Sequence, residues 1–389
     1  MPPGETDAEP APVEGPAFNG CTSPDGVRAS GTWDDPIAAI PPFSDRADTA
    51  IAASTVDSYT CAPDVDESGP EVVYQLHVAA DAHLVATLEE ADGVDVDLHL
   101  LDDQGCVSRA NTLLEQDVAA GDYTLVVDSY VDGEVFSGAY TLTVEAWPDD
   151  TWARVHLGDG LEWRHLRSVR GALGSQTIDV LAADLAAWDA APLQHAGCER
   201  VDDVARAHAG RAGINGGFFD GSCNSLDVVR HDGVTSATTA LRDRARVVAW
   251  DDGGPPGTSW VVRDEDPTAY ANAVGSFPSL VTEGAVVLDP FEDTSFTNAR
   301  HPRTALGTDA EGRLLLATAD GRTDHGAGLS LAEWAALLVE AGAVDAVNLD
   351  GGGSTTMFLD GCGPNGIVNH PSDAGGPRPV ADAIYLMGL

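Results

Sequence analysis

Between Val72 and Val144 the chain repeatedly alternates apolar and polar residues. Val94-Asp95-Val96-Asp97-Leu98-His99-Leu100 does so strictly, and Val72–Val78, Leu84–Leu88, Tyr123–Val127 and Tyr140–Val144 follow the same rhythm. A period of two sends successive side chains to opposite faces, so each segment predicts a strand with one buried face. Turn residues such as Asp132-Gly133 separate the segments, and short strands divided by turns predict a β-sandwich over residues 18–147. Residues 1–17 ahead of it form a Pro- and Glu-rich tail expected to be disordered. This opening has neither the basic nor the apolar region of a secretory leader, which suggests a mature or trimmed form.

Trp147-Pro148-Asp149-Asp150 reads as a linker, and over 148–389 helical and strand patterns mix. Ser330-Leu331-Ala332-Glu333 is a capping box that opens a helix. Leu331, Trp334, Leu337 and Leu338 give that helix one apolar face, and Gly342 is placed to end it. Val344 to Leu349 then predicts a buried strand that delivers Asp350 to Gly351-Gly352-Gly353-Ser354. Leu314 to Thr318 predicts a second strand, ending at Asp320-Gly321-Arg322. Two strands that both end in Asp-Gly are expected to converge on one cleft. The whole is a multidomain chain, an all-β sandwich followed by a mixed α/β (α+β) domain.

The charge narrows the chemistry. The 389 residues carry 63 acids and 20 basic residues, a net charge of −43, and every basic residue is an arginine. The absence of lysine excludes Schiff-base chemistry and a P-loop lysine. Such acidity argues against nucleic acid as a partner, since phosphate backbones need a basic face. Arginine is concentrated in the second half: residues 1–150 hold 3, residues 151–389 hold 17. No apolar run is long enough to span a membrane as a helix. Six cysteines without a CxxC spacing fit disulfides and an oxidising, extracellular or cell-surface setting. Cys61–Cys106 and Cys198–Cys223 are the expected pairs because each stays within one domain. Cys21 and Cys362 are left to pair across domains or remain free.

Three consecutive glycines remove every Cβ, so a bound group can approach the backbone closely, and an acidic residue before them marks a strand-end site. Four further segments carry candidate chemistry: Asn215-Gly216-Gly217-Phe218-Phe219, Arg303-Thr304-Ala305-Leu306-Gly307, Asp320-Gly321-Arg322, and Asn369-His370-Pro371-Ser372-Asp373 with Arg378 beyond. In this order, and over about residues 150–389, they resemble the phosphodiester glycosidase family. The resemblance implies a secreted hydrolase that cleaves the bond between an anomeric carbon and a phosphate oxygen in a phosphate-linked glycan. It implies catalytic carboxylates, with Asp350 and Asp320 first and Asp324 after them. It places Arg303, Arg322 and Arg378 on the phosphate, the backbone of Gly351, Gly352 and Gly353 as an added anion nest, and Thr304, His325 and Ser354 alongside. It places Asn215, Gly216, Gly217, Phe218, Asn369 and Asp373 around the sugar. Carboxylate spacing decides between inverting and retaining chemistry. Asp360-Gly361-Cys362-Gly363-Pro364 departs from a plain turn after the glycine loop, so sugar identity does not carry over.

The first half resembles the pre-peptidase C-terminal domain of secreted bacterial enzymes, on Gly69–Tyr74, Asp95–Leu98, Ala120–Tyr123 and Gly138–Leu142. Such domains are accessory modules. Asp95 and Asp97 offer carboxylates suited to Ca²⁺, but the alternation reads as a solvated strand face, and no cofactor or metal is expected. Two other functional classes fit the residues: a metal-dependent phosphodiesterase using Asp320, Asp324, His325 and Asp350, and a non-catalytic glycan-binding surface protein.

Overall fold

The structure is a computed structural model that describes residues 17–19, 21, 30–169, 173–237, 246–251, 259–262, 267–288 and 294–389. The expected tail lies outside these residues except for Ala17, which opens a short strand, Ala17–Asn19.

The alternating segments form two facing sheets. One has five strands in the order Ile37–Ala39, Glu71–Val78, Gly121–Ser129, Val96–Asp102, Gly105–Ala110. The other has four, in the order Phe43–Asp48, Ala139–Trp147, Ala82–Glu90, Leu113–Val118. Between them lies one apolar core that includes Leu76, Leu84, Leu98, Leu125 and Leu142, each fully buried. Each such side chain adds about 1.5–3 kcal/mol by leaving water.

One strand face departs from the expected solvated character. Asp97 is buried and its carboxylate pairs with the Arg109 guanidinium. Glu67, His99 and Asp128 are buried nearby, with Tyr59 donating to Asp128 at 2.7 Å and stacking on His99 at 3.9 Å. Burial and the neighbouring Glu67 push Asp97 up to about 7. The Asp97 carboxylate is thus an internal partner of arginine, not a free cation ligand.

Beyond the sandwich, strands dominate and helices are few. A nine-stranded sheet carries Leu161–Ser168, Gln176–Ala183, Leu314–Ala319, Arg303–Asp309 and Ala343–Asn348 as consecutive neighbours. A four-stranded sheet orders Trp188–Glu199, Val380–Gly388, Ala212–Asn215 and Met357–Leu359. The predicted helix spans Leu331–Glu340, with Ser330 and Glu333 capping each other's backbone N–H groups. Leu331, Trp334, Ala335, Leu337 and Leu338 bury its apolar face on the large sheet.

The segment expected to be a linker is firmly packed. Trp147 ends a strand, is 3% exposed, and lies edge-on to Trp163 at 5.0 Å and stacked on His165 at 4.3 Å. Asp149 pairs with Arg167, and Asp150 accepts from the Ser168 hydroxyl. The six cysteines form three disulfides: Cys61–Cys106, Cys198–Cys223 and Cys21–Cys362. The third joins the strand Ala17–Asn19 region to the loop after Met357–Leu359, a closure spanning 341 residues.

Candidate active site

The sheet register explains why the motifs meet. Leu314–Ala319 and Ala343–Asn348 both run antiparallel to the strand Arg303–Asp309 between them. Arg303 lies opposite Ala319, and Ala305 opposite Asn348. The two strands therefore release Asp320 and Asp350 at the same sheet edge, where Arg303 enters. The Asn215 strand end reaches the same place, since Asn215 Nδ2 donates to the Asp350 carbonyl at 2.7 Å.

The glycine loop is shaped by what presses on it. A Cβ on Gly351 would meet the Pro302 carbonyl at 2.6 Å. One on Gly353 would meet the Arg378 guanidinium at 2.1 Å and Asp373 at 2.3 Å. Gly352 has φ +64°, and a Cβ there would lie 3.3 Å from Arg322. No other residue type fits this run. The loop is not an open anion nest: Gly352 N–H donates to the Pro302 carbonyl, and the Gly351 N–H is drawn to the Asp350 carboxylate.

Two carboxylates sit under and beside the loop. Burial raises Asp350 above the usual carboxylate range, opposed by the Ser354 hydroxyl, the Gly351 N–H and Arg378. Asp382, 2% exposed, accepts the Gly217 N–H at 2.8 Å and the Ser225 hydroxyl. Burial pushes it up to about 7 against those two bonds, with the charge of Asp350 adding to the rise. A Cβ on Gly216 would strike Asp382 Oδ1 at 1.8 Å, so the Asn-Gly-Gly glycines exist to seat this carboxylate. No motif in the sequence assigns Asp382 a role; the structure brings it to the site.

Asp320 has a different setting. It is 1% exposed, and its Oδ1 accepts the His370 N–H at 2.8 Å and Asn369 Nδ2 at 3.2 Å, while Oδ2 meets His370 Nδ1 at 2.7 Å. Although burial alone would lower it, Asp320 raises His370 to about 9, so the imidazole is charged at neutral pH. His325 stacks on it at 3.7 Å and is lowered, first by burial and then by that charge. Asp320→Asn is expected to destabilise the fold by about 2–4 kcal/mol, because a buried charged acceptor with several bonds is lost. The same change should return His370 towards its ordinary value. Urea unfolding and an NMR titration of His370 check both, and an unmoved His370 titration would contradict the pairing.

The other expected site residues divide by what their polar atoms touch. Asn215 is fully buried, with Oδ1 accepting from Thr304 Oγ1 at 2.9 Å and the Thr356 N–H at 3.2 Å. Asn369, 4% exposed, accepts the Met357 N–H at 2.7 Å. These two and Thr304 brace the walls through internal bonds, while Ser354 is buried beside Asp350. Arg303 is also an internal strut: its guanidinium donates to the carbonyls of Leu329, Phe296 and Ala299. Arg378 is paired with Asp373 at 2.8 Å. Arg322 differs from both. It is exposed, has φ +63°, and donates to His301 Nδ1 at 2.7 Å; among the described residues no carboxylate lies within ion-pair distance of it. Asp324 is exposed. Phe218 stacks near Phe277 at 4.7 Å and Phe296 at 6.1 Å, an aromatic edge beside the loop.

Residues 209–387 match the family model described as phosphodiester glycosidase. Among curated proteins, the human N-acetylglucosamine-1-phosphodiester alpha-N-acetylglucosaminidase is 30% identical over 194 residues, 44% of this chain and 36% of its own length. The mouse protein of that name is 32% identical over 191 residues, 44% of this chain and 35% of its own. The chain thus matches only about a third of the length of these relatives. The solved catalytic domain of the zebrafish enzyme, auto-inhibited by its pro-peptide, superposes with a TM-score of 0.50 at 19% identity, covering 60% of this chain and 85% of that one, a likeness of fold.

Proposed function

We propose that the chain is a secreted hydrolase that cleaves the glycosidic bond of a sugar-1-phosphodiester. The observation that supports this best is the seating of Arg322 against Gly352, on the loop that begins with Asp350, with no carboxylate among the described residues paired to it. A phosphodiester is a singly charged anion, and a planar guanidinium binds it with two parallel hydrogen bonds. Arg322 holds the phosphate and Asp350 lies one loop turn away, where an anomeric carbon joined to that phosphate would sit. The phosphate leaves without much need of an acid, so the demand falls on a carboxylate that stabilises the oxocarbenium-like centre or activates water. Asp350 performs that task, with the buried Asp382 beneath it. The aromatic edge at Phe218 flanks the sugar.

The deciding assay measures products from a panel of sugar-1-phosphodiesters. Free sugar with a phosphomonoester is the expected result; sugar phosphate with free alcohol would make the chain a phosphodiesterase instead. In the same assay Arg322→Ala should lower kcat/KM by about a hundredfold, the worth of a charge-assisted pair in a partly screened site, with Arg322→Lys recovering part of it. An Arg322→Ala variant with an unchanged kcat/KM would remove the phosphate contact from the reading.

A further inference from the structure

The outer face of the sandwich's four-stranded sheet is not bare. Alternation buries Leu142, Val144 and Ala86 in the sandwich core and turns Thr143, Glu145, Val85 and Thr87 outward. Register then aligns them in rows: Thr143 lies opposite Thr87, which lies opposite Leu113, and Glu145 lies opposite Val85. Opposed side chains in such rows stand about 5 Å apart, so the face carries a strip of two hydroxyls flanked by an apolar edge and a carboxylate.

A cavity of about 480 Å³ separates this strip from the segment that carries His370, Pro371 and Pro377. That segment has two sides. Its Asp373–Arg378 pair presses on Gly353 of the catalytic loop, while His370 and Pro371 line the cavity. Glu145 is anchored by the Trp147 indole N–H at 2.8 Å and interacts electrostatically with His370 across the gap.

We propose that this cavity is a carbohydrate subsite, and that it takes the hydroxylated alcohol on the far side of the phosphate. The claim about which part of the substrate enters rests on the phosphodiester reading; the claim that the cavity binds carbohydrate does not. A sugar unit presents C–H faces and hydroxyls by turns. Val85, Leu113, Pro371 and Pro377 supply the matching apolar surface, and Thr87, Thr143 and Glu145 supply donors and acceptors. A fatty chain would offer no partner to the Thr87 hydroxyl or to the Glu145 oxygen that Trp147 does not hold. The sandwich is on this account part of the substrate site.

The test uses the full chain and two N-acetylglucosamine-1-phosphodiesters whose second ester is methyl or a trisaccharide. Thr87→Trp, which fills the cavity, should raise KM for the trisaccharide ester about tenfold and leave the methyl ester unchanged. Thr87→Val, which keeps the shape and removes the hydroxyl, should raise it about threefold. Equal effects on both esters, or none on either, would overturn the proposal. Should the wild type turn over neither these esters nor any other sugar-1-phosphodiester of the panel, the functional reading fails and the cavity is decided by titrating the trisaccharide alone. Shifts of the Thr87 and Thr143 methyl signals in the NMR spectrum are then expected. A trisaccharide that leaves both signals still, or a decanoate that moves them when the trisaccharide does not, would overturn it.

Discussion

Replacing Asp350 with asparagine is expected to lower kcat on a sugar-1-phosphodiester by at least about a thousandfold while the protein stays folded. The expectation follows from where the charge sits. Asp350 is half-buried at the sheet edge, and its main chain already anchors the loop: its N–H donates to the Gly216 carbonyl at 3.1 Å, and its carbonyl accepts from Asn215 at 2.7 Å. Those bonds do not involve the side chain, so an amide of the same shape preserves the loop. What it removes is the negative charge that would face a developing oxocarbenium centre. Because burial disfavours that charge, losing it should leave the variant as stable as the wild type or more so. Urea unfolding and initial rates on the same preparations separate the two effects. Near-wild-type turnover by Asp350→Asn would move the chemistry to another carboxylate, and a collapsed fold would show that the side chain is structural.

Much of this arrangement was legible in the chain. Period-two alternation located the sandwich strands because one face of each strand meets a core. The capping box located the helix Leu331–Glu340 because capping is a local event. Strand-end Asp-Gly pairs located Asp320 and Asp350, and the order of five motifs located the family. What escaped were facts that depend on partners distant in sequence. Arg303, Arg322 and Arg378 look alike as letters, yet one is consumed by three carbonyls, one is paired with Asp373, and one faces solvent over the glycine loop. Asn215 and Asn369 resemble sugar ligands but are buried braces, since their partners come from strands 89 and 12 residues away. Asp382 was overlooked because nothing beside it marks a site; only the close approach of Gly216 does. Asp97 was misread because alternation tells which face a residue occupies, not whether that face is covered. The strongly negative whole and the proposed phosphate contact are also reconciled only in three dimensions. At physiological salt, exposed charges beyond about 8 Å are screened, so Arg322 at contact outweighs distant carboxylates.

Asp382 supports the second large expectation, in stability and not in turnover. An aspartate in an unfolded chain titrates near 3.9, whereas the folded protein holds this one at about 7. Because its folded value is raised, folding takes up a proton between these limits. Below about pH 4 the group is protonated in both states and contributes nothing. As pH rises towards 7 the unfolded chain ionises freely while the folded one resists, so stability falls by about 4 kcal/mol and then levels off. Asp382→Asn removes this dependence. The amide oxygen can still accept the Gly217 N–H, and the Ser225 hydroxyl can turn to accept instead of donate. The variant should therefore match the wild type near pH 4 and exceed it at pH 8, as urea unfolding at both values will show. Parallel stability curves would mean that Asp382 carries no shifted charge. Because the charge of Asp350 adds to this rise, Asp350→Asn should lower the Asp382 value and lessen the fall in stability between pH 4 and pH 8. A fall in stability left unchanged by Asp350→Asn would separate the two carboxylates and leave Asp382 as a purely structural acid beneath the glycine loop.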